Sequence, residues 1–110
     1  MIIHLLHLEV PPRDRSDAIK TIQAAIGPTR ARRPCLSCHL FAHVDNDDEL
    51  LLMQKWDSQA ELDTYLNSPT YGLLIEVLEL ALERPAVEFH IISGSFGMEH
   101  IEAVRHPVPI

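Results

Sequence analysis

Glu49-Leu50-Leu51-Leu52-Met53-Gln54-Lys55-Trp56 runs directly into Asp57-Ser58-Gln59-Ala60-Glu61, and the fold follows from that junction. The first part is apolar, lacks Gly and Pro, and reads as a strand ending in Trp56. Ser58 followed by Glu61 is a capping box: the Ser58 hydroxyl can accept a backbone N–H and Glu61 can reach back, so a helix begins there. Upstream, the turn residues Asp45-Asn46-Asp47-Asp48 make Cys35 to Val44 the antiparallel partner of this strand, a hairpin. Further upstream, Ile2 to Val10 is a strand stopped by Pro11-Pro12. Ala18, Ile19, Ile22, Ala25 and Ile26 then mark one helical face, with Asp14 or Ser16 as N-cap and Gly27-Pro28 as the expected stop. Downstream, the capped helix runs to about Asn67. Ser68-Pro69 opens a second segment with Tyr71, Leu74, Ile75, Leu78 and Leu82 on one face, expected to end at Pro85. Val87 to Ser93 is the fourth strand. The order β-α-β-β-α-β predicts an α+β protein with a ferredoxin-like antiparallel sheet and both helical layers on one face. Residues 1–95 form the expected domain, and 96–110 a tail with one short helix, Met98 to Arg105.

A chain of 110 residues supports one core and not two ordinary domains. Its formal charge of -7 sets it against phosphate backbones and anionic headgroups, which excludes nucleic acid and membrane surfaces as partners. The longest apolar stretch, Tyr71 to Leu82, is interrupted by Glu76 and Glu79 and is too short for a bilayer. The N-terminus carries no basic leader, so a cytoplasmic setting with reduced thiols is expected. Strand one is apolar on both sides, Leu6 and Leu8 alternating with Ile3 and Leu5. Burying both faces of a sheet in so short a chain calls for a second subunit, and a homodimer is expected.

The succession Cys35-Leu36, Leu50 to Lys55 closing on Trp56, Asp57-Ser58 with Glu61-Leu62, and Asn67-Ser68-Pro69 resembles the antibiotic biosynthesis monooxygenase family over residues 1–95. The resemblance implies a dimeric α/β barrel with a cavity beneath each sheet. It also implies oxygenation of an aromatic or quinone-like small molecule without metal or flavin, hence no cofactor. The chain departs from the quinone-forming members at two functional positions. Their Asn before the Trp is Leu52 here, and their Arg after it falls at Ile75-Glu76. The haem-degrading members use a His in the second helical region, where this chain has only Tyr65 and Tyr71.

Strand alternation sorts the candidate site residues. Leu36, Cys38, Leu40 and Ala42 suit the helix-covered face, leaving Ser37, His39, Phe41 and His43 toward a cavity. His7 and Glu9, Gln54 and Trp56, and His90 join them by the same sorting. His39 is the expected acid or base and Trp56 the stacking surface, with His7, Phe41, His43, Gln54 and His90 as substrate-binding residues. A non-catalytic ligand-binding module is the alternative, favoured by Leu52 and Glu76. No metal is expected, because His39 and His43 lie roughly 13 Å apart along a strand. The turn from Asp45 to Glu49 lacks the Gly and distal Glu of a calcium loop. Cys35-Leu36-Ser37-Cys38-His39 reads literally as a haem attachment motif, but an apolar strand follows it. Strand geometry sets the two thiols on opposite faces about 10 Å apart, against a disulfide. Arg30, Arg32 and Arg33 read as a solvated basic connector.

Overall fold

The structure is a computed structural model describing residues 1–107 and 109. Its elements are β1 (Ile2–Glu9), α1 (Pro12–Arg30), β2 (Cys35–Ala42), β3 (Glu49–Trp56), α2 (Gln59–Leu66), α3 (Pro69–Leu78), β4 (Ala86–Ile91) and α4 (Met98–Arg105). The four strands form one antiparallel sheet in the order β2-β3-β1-β4, the ferredoxin-like arrangement expected from the sequence. Ser58 caps α2 by accepting the Glu61 N–H at 3.4 Å, and Ser68 caps α3 by accepting from Tyr71 N at 3.3 Å.

Period-two alternation decides what each strand buries. β1 turns Ile2, His4, Leu6 and Leu8 inward, and β3 turns Leu50, Leu52, Gln54 and Trp56 inward. Ala18, Ile22, Ala25 and Thr29 of α1, Leu62 and Tyr65 of α2, and Tyr71, Leu74 and Val77 of α3 close over them. Each fully buried Leu or Ile contributes about 1.5–3 kcal/mol. Among the described residues no layer covers the opposite face: Ile3, Leu5, Leu51 and Met53 are only half-buried, and Phe41 is 47% exposed. No helix among the described residues is long and apolar enough to cross a membrane.

Helix ends differ from the expected stops for identifiable reasons. α1 begins at Pro12, whose fixed φ suits the first helical position, so neither Asp14 nor Ser16 is its cap. It continues through Gly27-Pro28 to Arg30. The bond that Pro28 cannot donate belongs to Ala24, which is exposed, and the Thr29 hydroxyl bonds Ala25 O at 2.7 Å in the same turn. α3 stops at Leu78, well before Pro85. Turn bonds from Leu80 N to Val77 O and from Ala81 N to Leu78 O follow, and Leu82 N then bonds Glu9 O at 2.8 Å, drawing the chain back to β1.

Candidate functional site

β2 departs from regular alternation at its start. Cys35 pairs with Trp56, Ser37 with Lys55 and Cys38 with Gln54, so Leu36 is an extra residue in a bulge and is 54% exposed. The bulge puts Cys35 and Cys38 on the same, helix-covered face, which corrects the expectation that they face opposite ways. Both are free thiols. Burial pushes the Cys38 thiol up to about 11, and burial also raises Cys35, so neither is a ready nucleophile.

The same register divides the candidate residues. Gln54 and Trp56 point into the interior beneath the helices. His39 pairs with Met53, Phe41 with Leu51, His90 with Ile3 and His7 with Ala86, so these side chains belong to the open face. A single cavity shared by His7, His39, Phe41, His43, Gln54, Trp56 and His90 is therefore not what the fold builds. His39 stands at the outer edge, where Arg30 Nη2 donates to its Nδ1 at 3.1 Å. His7, Phe41 and His43 do come together with Glu49, around a surface hollow of about 190 Å³. His90 and His7 both approach the Glu88 carboxylate, at 3.2 and 3.8 Å.

The interior holds a polar and aromatic cluster that the sequence sorting missed in part. Trp56 Nε1 donates to Gln54 Oε1 at 3.0 Å, and Gln54 Nε2 donates to Tyr65 Oη at 3.0 Å. Thr29 Oγ1 donates to Ala25 O, so at 3.0 Å it accepts from the Tyr65 hydroxyl. This directed chain ends on a backbone carbonyl, with every member satisfied. Beside it, His4 Nδ1 lies 3.1 Å from Glu88 O and Nε2 lies 2.9 Å from Tyr71 Oη. A carbonyl only accepts, so Nδ1 carries a proton, and because burial disfavours the charged ring, Nε2 is left to accept from Tyr71. Burial lowers the pKa of His4, opposed by the Glu88 carbonyl bond, and burial pushes the Tyr71 phenol up to about 12. Burial raises Tyr65 as well. The rings pack at centroid distances of 4.5 Å for Trp56 and Tyr65, 5.4 Å for Tyr65 and Tyr71, and 5.7 Å for His4 and Tyr71. Arg32 lies over the Tyr65 ring at 5.5 Å.

The signal for the missed residues was present. His4 falls in the buried phase of β1 with Ile2, Leu6 and Leu8, and Tyr65 and Tyr71 lie on the inward faces of their helices. Between sheet and helices, Leu6, Leu8, Ile22, Leu52, Leu74, Val77 and Leu78 enclose only about 10 Å³, room for one water at most. Among the described residues no group of three or more His, Cys, Asp or Glu is placed to hold a metal ion.

A ferredoxin-like sheet with an aromatic, hydrogen-bonded interior defines a class of small α+β proteins, and comparison with known proteins narrows it. Residues 1–76 match the profile of the antibiotic biosynthesis monooxygenase family, and the chain belongs to that family. A Mycobacterium tuberculosis structure is 28% identical and superposes with TM-score 0.78 over 87% of this chain and 98% of that one. A Deinococcus radiodurans structure, 14% identical, gives TM-score 0.80 over 89% and 98%. In sequence, an uncharacterized protein of Synechocystis sp. is 25% identical over 80 residues, 73% of this chain and 54% of that protein. The chain thus spans about half the length of the curated relative it matches.

Proposed function

We propose that the protein is a small-molecule oxidoreductase of the monooxygenase type, acting as a cytoplasmic homodimer on an aromatic or quinone-like compound without metal or flavin. The observation that carries this reading is the interior cluster of His4, Gln54, Trp56, Tyr65 and Tyr71, in which aromatic faces sit beside groups that hold or pass a proton. In such chemistry the substrate itself supplies the electrons: a phenol and O₂ give a quinone and water. Trp56 is wholly buried against Tyr65 with its indole held by Gln54, so it braces the cluster rather than meeting the compound. The neutral His4 with Tyr71 fits the acid–base role better than His39, which stands on the outer edge beside Arg30. The half-buried Ile3, Leu5, Leu51 and Met53 suit an interface with a second copy.

Binding without turnover is the second reading. Leu52 is buried among apolar side chains and Glu76 is exposed, so neither supplies the polar contact that the quinone-forming relatives are expected to have there. Oxygen uptake with a series of hydroquinones separates the two. Uptake above background by the wild-type protein, lost in Trp56→Phe, supports the oxidoreductase. Uptake that no hydroquinone raises above background refutes it and leaves the binding module.

A further inference from the structure

Resting on the aromatic-substrate reading, we propose that the Phe89 ring occupies a stacking position on His4 that a single-ring hydroxyaromatic compound takes when Phe89 swings outward, so that Phe89 sets the size of the compound admitted. β4 is an outer strand, and its register with β1 pairs Val87 with Leu6, Phe89 with His4 and Ile91 with Ile2, all on the helix side. Yet Val87 and Phe89 are each 44% exposed, because the helical layer stops short of this edge. At His4 it is Phe89 that lies over the interior from this edge. The Phe89 and His4 rings stack at 4.2 Å with 6° between their planes, while His4 itself is fully buried. A planar ring is held in this place by geometry that any aromatic ring of that size satisfies.

Hydrogen-bonding capacity singles out the same spot. The chain from Trp56 through Gln54, Tyr65 and Thr29 closes on Ala25 O, and its four members are at most 1% exposed, so the capacity they have left is shut away from a ligand. Both His4 nitrogens are engaged, but Tyr71 only donates, and its oxygen keeps an acceptor lone pair. A ring lying on His4 with a hydroxyl toward Tyr71 would donate to that oxygen and extend the series: ligand hydroxyl, Tyr71 hydroxyl, His4 Nε2, with His4 Nδ1 anchored on Glu88 O. Because the position is vacated by one phenyl group, it admits one ring. As an edge-strand residue, Phe89 turns outward about its Cα–Cβ bond without disturbing the pairing to β1.

The test is binding of 1,4-dihydroxybenzene under argon, followed by calorimetry and by the histidine ring resonances. In the wild type the His4 resonances shift saturably. Phe89→Ala binds roughly tenfold more tightly and gains naphthalene-1,4-diol, whereas Phe89→Trp binds roughly tenfold more weakly. Tyr71→Phe brings the diol down to the affinity of 1,4-dimethoxybenzene. Phe89→Leu, which keeps an apolar side chain on the edge, falls between wild type and Phe89→Ala if both variants fold. Equal affinity in wild type and Phe89→Ala, unmoved His4 resonances, or binding to Phe89→Ala with none to wild type would each overturn the proposal. The last result would mean only a hole made by the substitution. The assay excludes oxygen, so it is independent of turnover: a protein that binds at His4 and consumes no O₂ upholds this site and refutes the oxidoreductase reading, and the converse result does the reverse.

Discussion

Tyr65→Phe removes one oxygen and leaves every ring contact in place, so its cost measures the buried hydrogen-bond chain directly. The Tyr65 hydroxyl accepts from Gln54 Nε2 and donates to Thr29 Oγ1, each at 3.0 Å, and Gln54, Tyr65 and Thr29 are all at most 1% exposed. Without it, one Gln54 N–H is stranded away from water and a Thr29 lone pair loses its donor, although Thr29 keeps its bond to Ala25 O. An unsatisfied buried donor costs about 1–3 kcal/mol, and a neutral acceptor that remains otherwise bonded adds less, so the expected loss is about 2 kcal/mol. At the scaling for a domain of this size that lowers Tm by roughly 8–16 °C. Urea unfolding followed by the emission of Trp56, the sole tryptophan, reports the change. Protein concentration is held fixed, because the proposed dimer would tie apparent stability to it. Thr29→Val strands the Tyr65 hydroxyl instead, and the double variant should cost less than the two singles summed, since neither group is then left without its partner. A Tyr65→Phe loss below about 0.5 kcal/mol, or strict additivity in the cycle, would refute the account of a closed chain.

Three further outcomes follow from the same geometry. Burial holds the His4 pKa below its ordinary value of 6.5, so the unfolded chain binds that proton more readily. Stability from His4 is complete above about pH 6.5 and is lost as the pH falls, by at most about 1.4 kcal/mol per pH unit. His4→Asn should flatten that limb of a pH series of urea curves, and an unchanged limb would show the histidine is not held neutral. Met53→Glu places a charge at the centre of the open face, opposite Leu5 and His39, and should leave the proposed homodimer monomeric in sedimentation equilibrium without moving Trp56 emission. Cys38, buried with its thiol up near 11, and Cys35, half-buried and raised, should react with a disulfide reagent at pH 8 far more slowly than in urea. Labelling at the unfolded rate would contradict their burial.

Element order was legible because the signals are local. The capping box at Ser58, the proline pair at 11 and 12 and the turn at Asp45 to Asp48 each act within a few residues, and the ferredoxin-like sheet follows from their sequence. Helix ends were less legible. Nothing near Gly27-Pro28 says that the missing bond falls on an exposed carbonyl, and nothing near Leu78 says that Leu82 will bond to β1. The site was legible only by halves. Trp56 and Gln54 could be picked from their strand, but which other residues share their face depends on cross-strand register. One extra residue at Leu36 is enough to move Cys35 to the side of Cys38. His4 was hidden for the opposite reason: a histidine in the buried phase of a strand reads as a defect until its two partners, Glu88 and Tyr71, arrive from distant parts of the chain.

The departures from the family pattern and the filled interior explain one another. A cavity deep beneath the sheet needs polar groups to orient a substrate, and an Asn in place of Leu52 would point one into it. With Leu52 fully buried among Leu6, Leu8, Ile22, Leu74 and Val77, that region closes to about 10 Å³, and a polar residue there would lack a partner. The position of the family's Arg, on α3, carries an exposed glutamate, Glu76, directed away from the core. What remains polar inside is two neighbouring groups, the chain ending at Thr29 and the pair His4–Tyr71, with His4 paired across the strands to Gln54. The first is sealed in, and the second keeps an unused acceptor beside a partly exposed aromatic ring. If this chain handles an aromatic compound, the chemistry has moved from the middle of the sheet to its β4 edge, where a smaller substrate meets fewer groups.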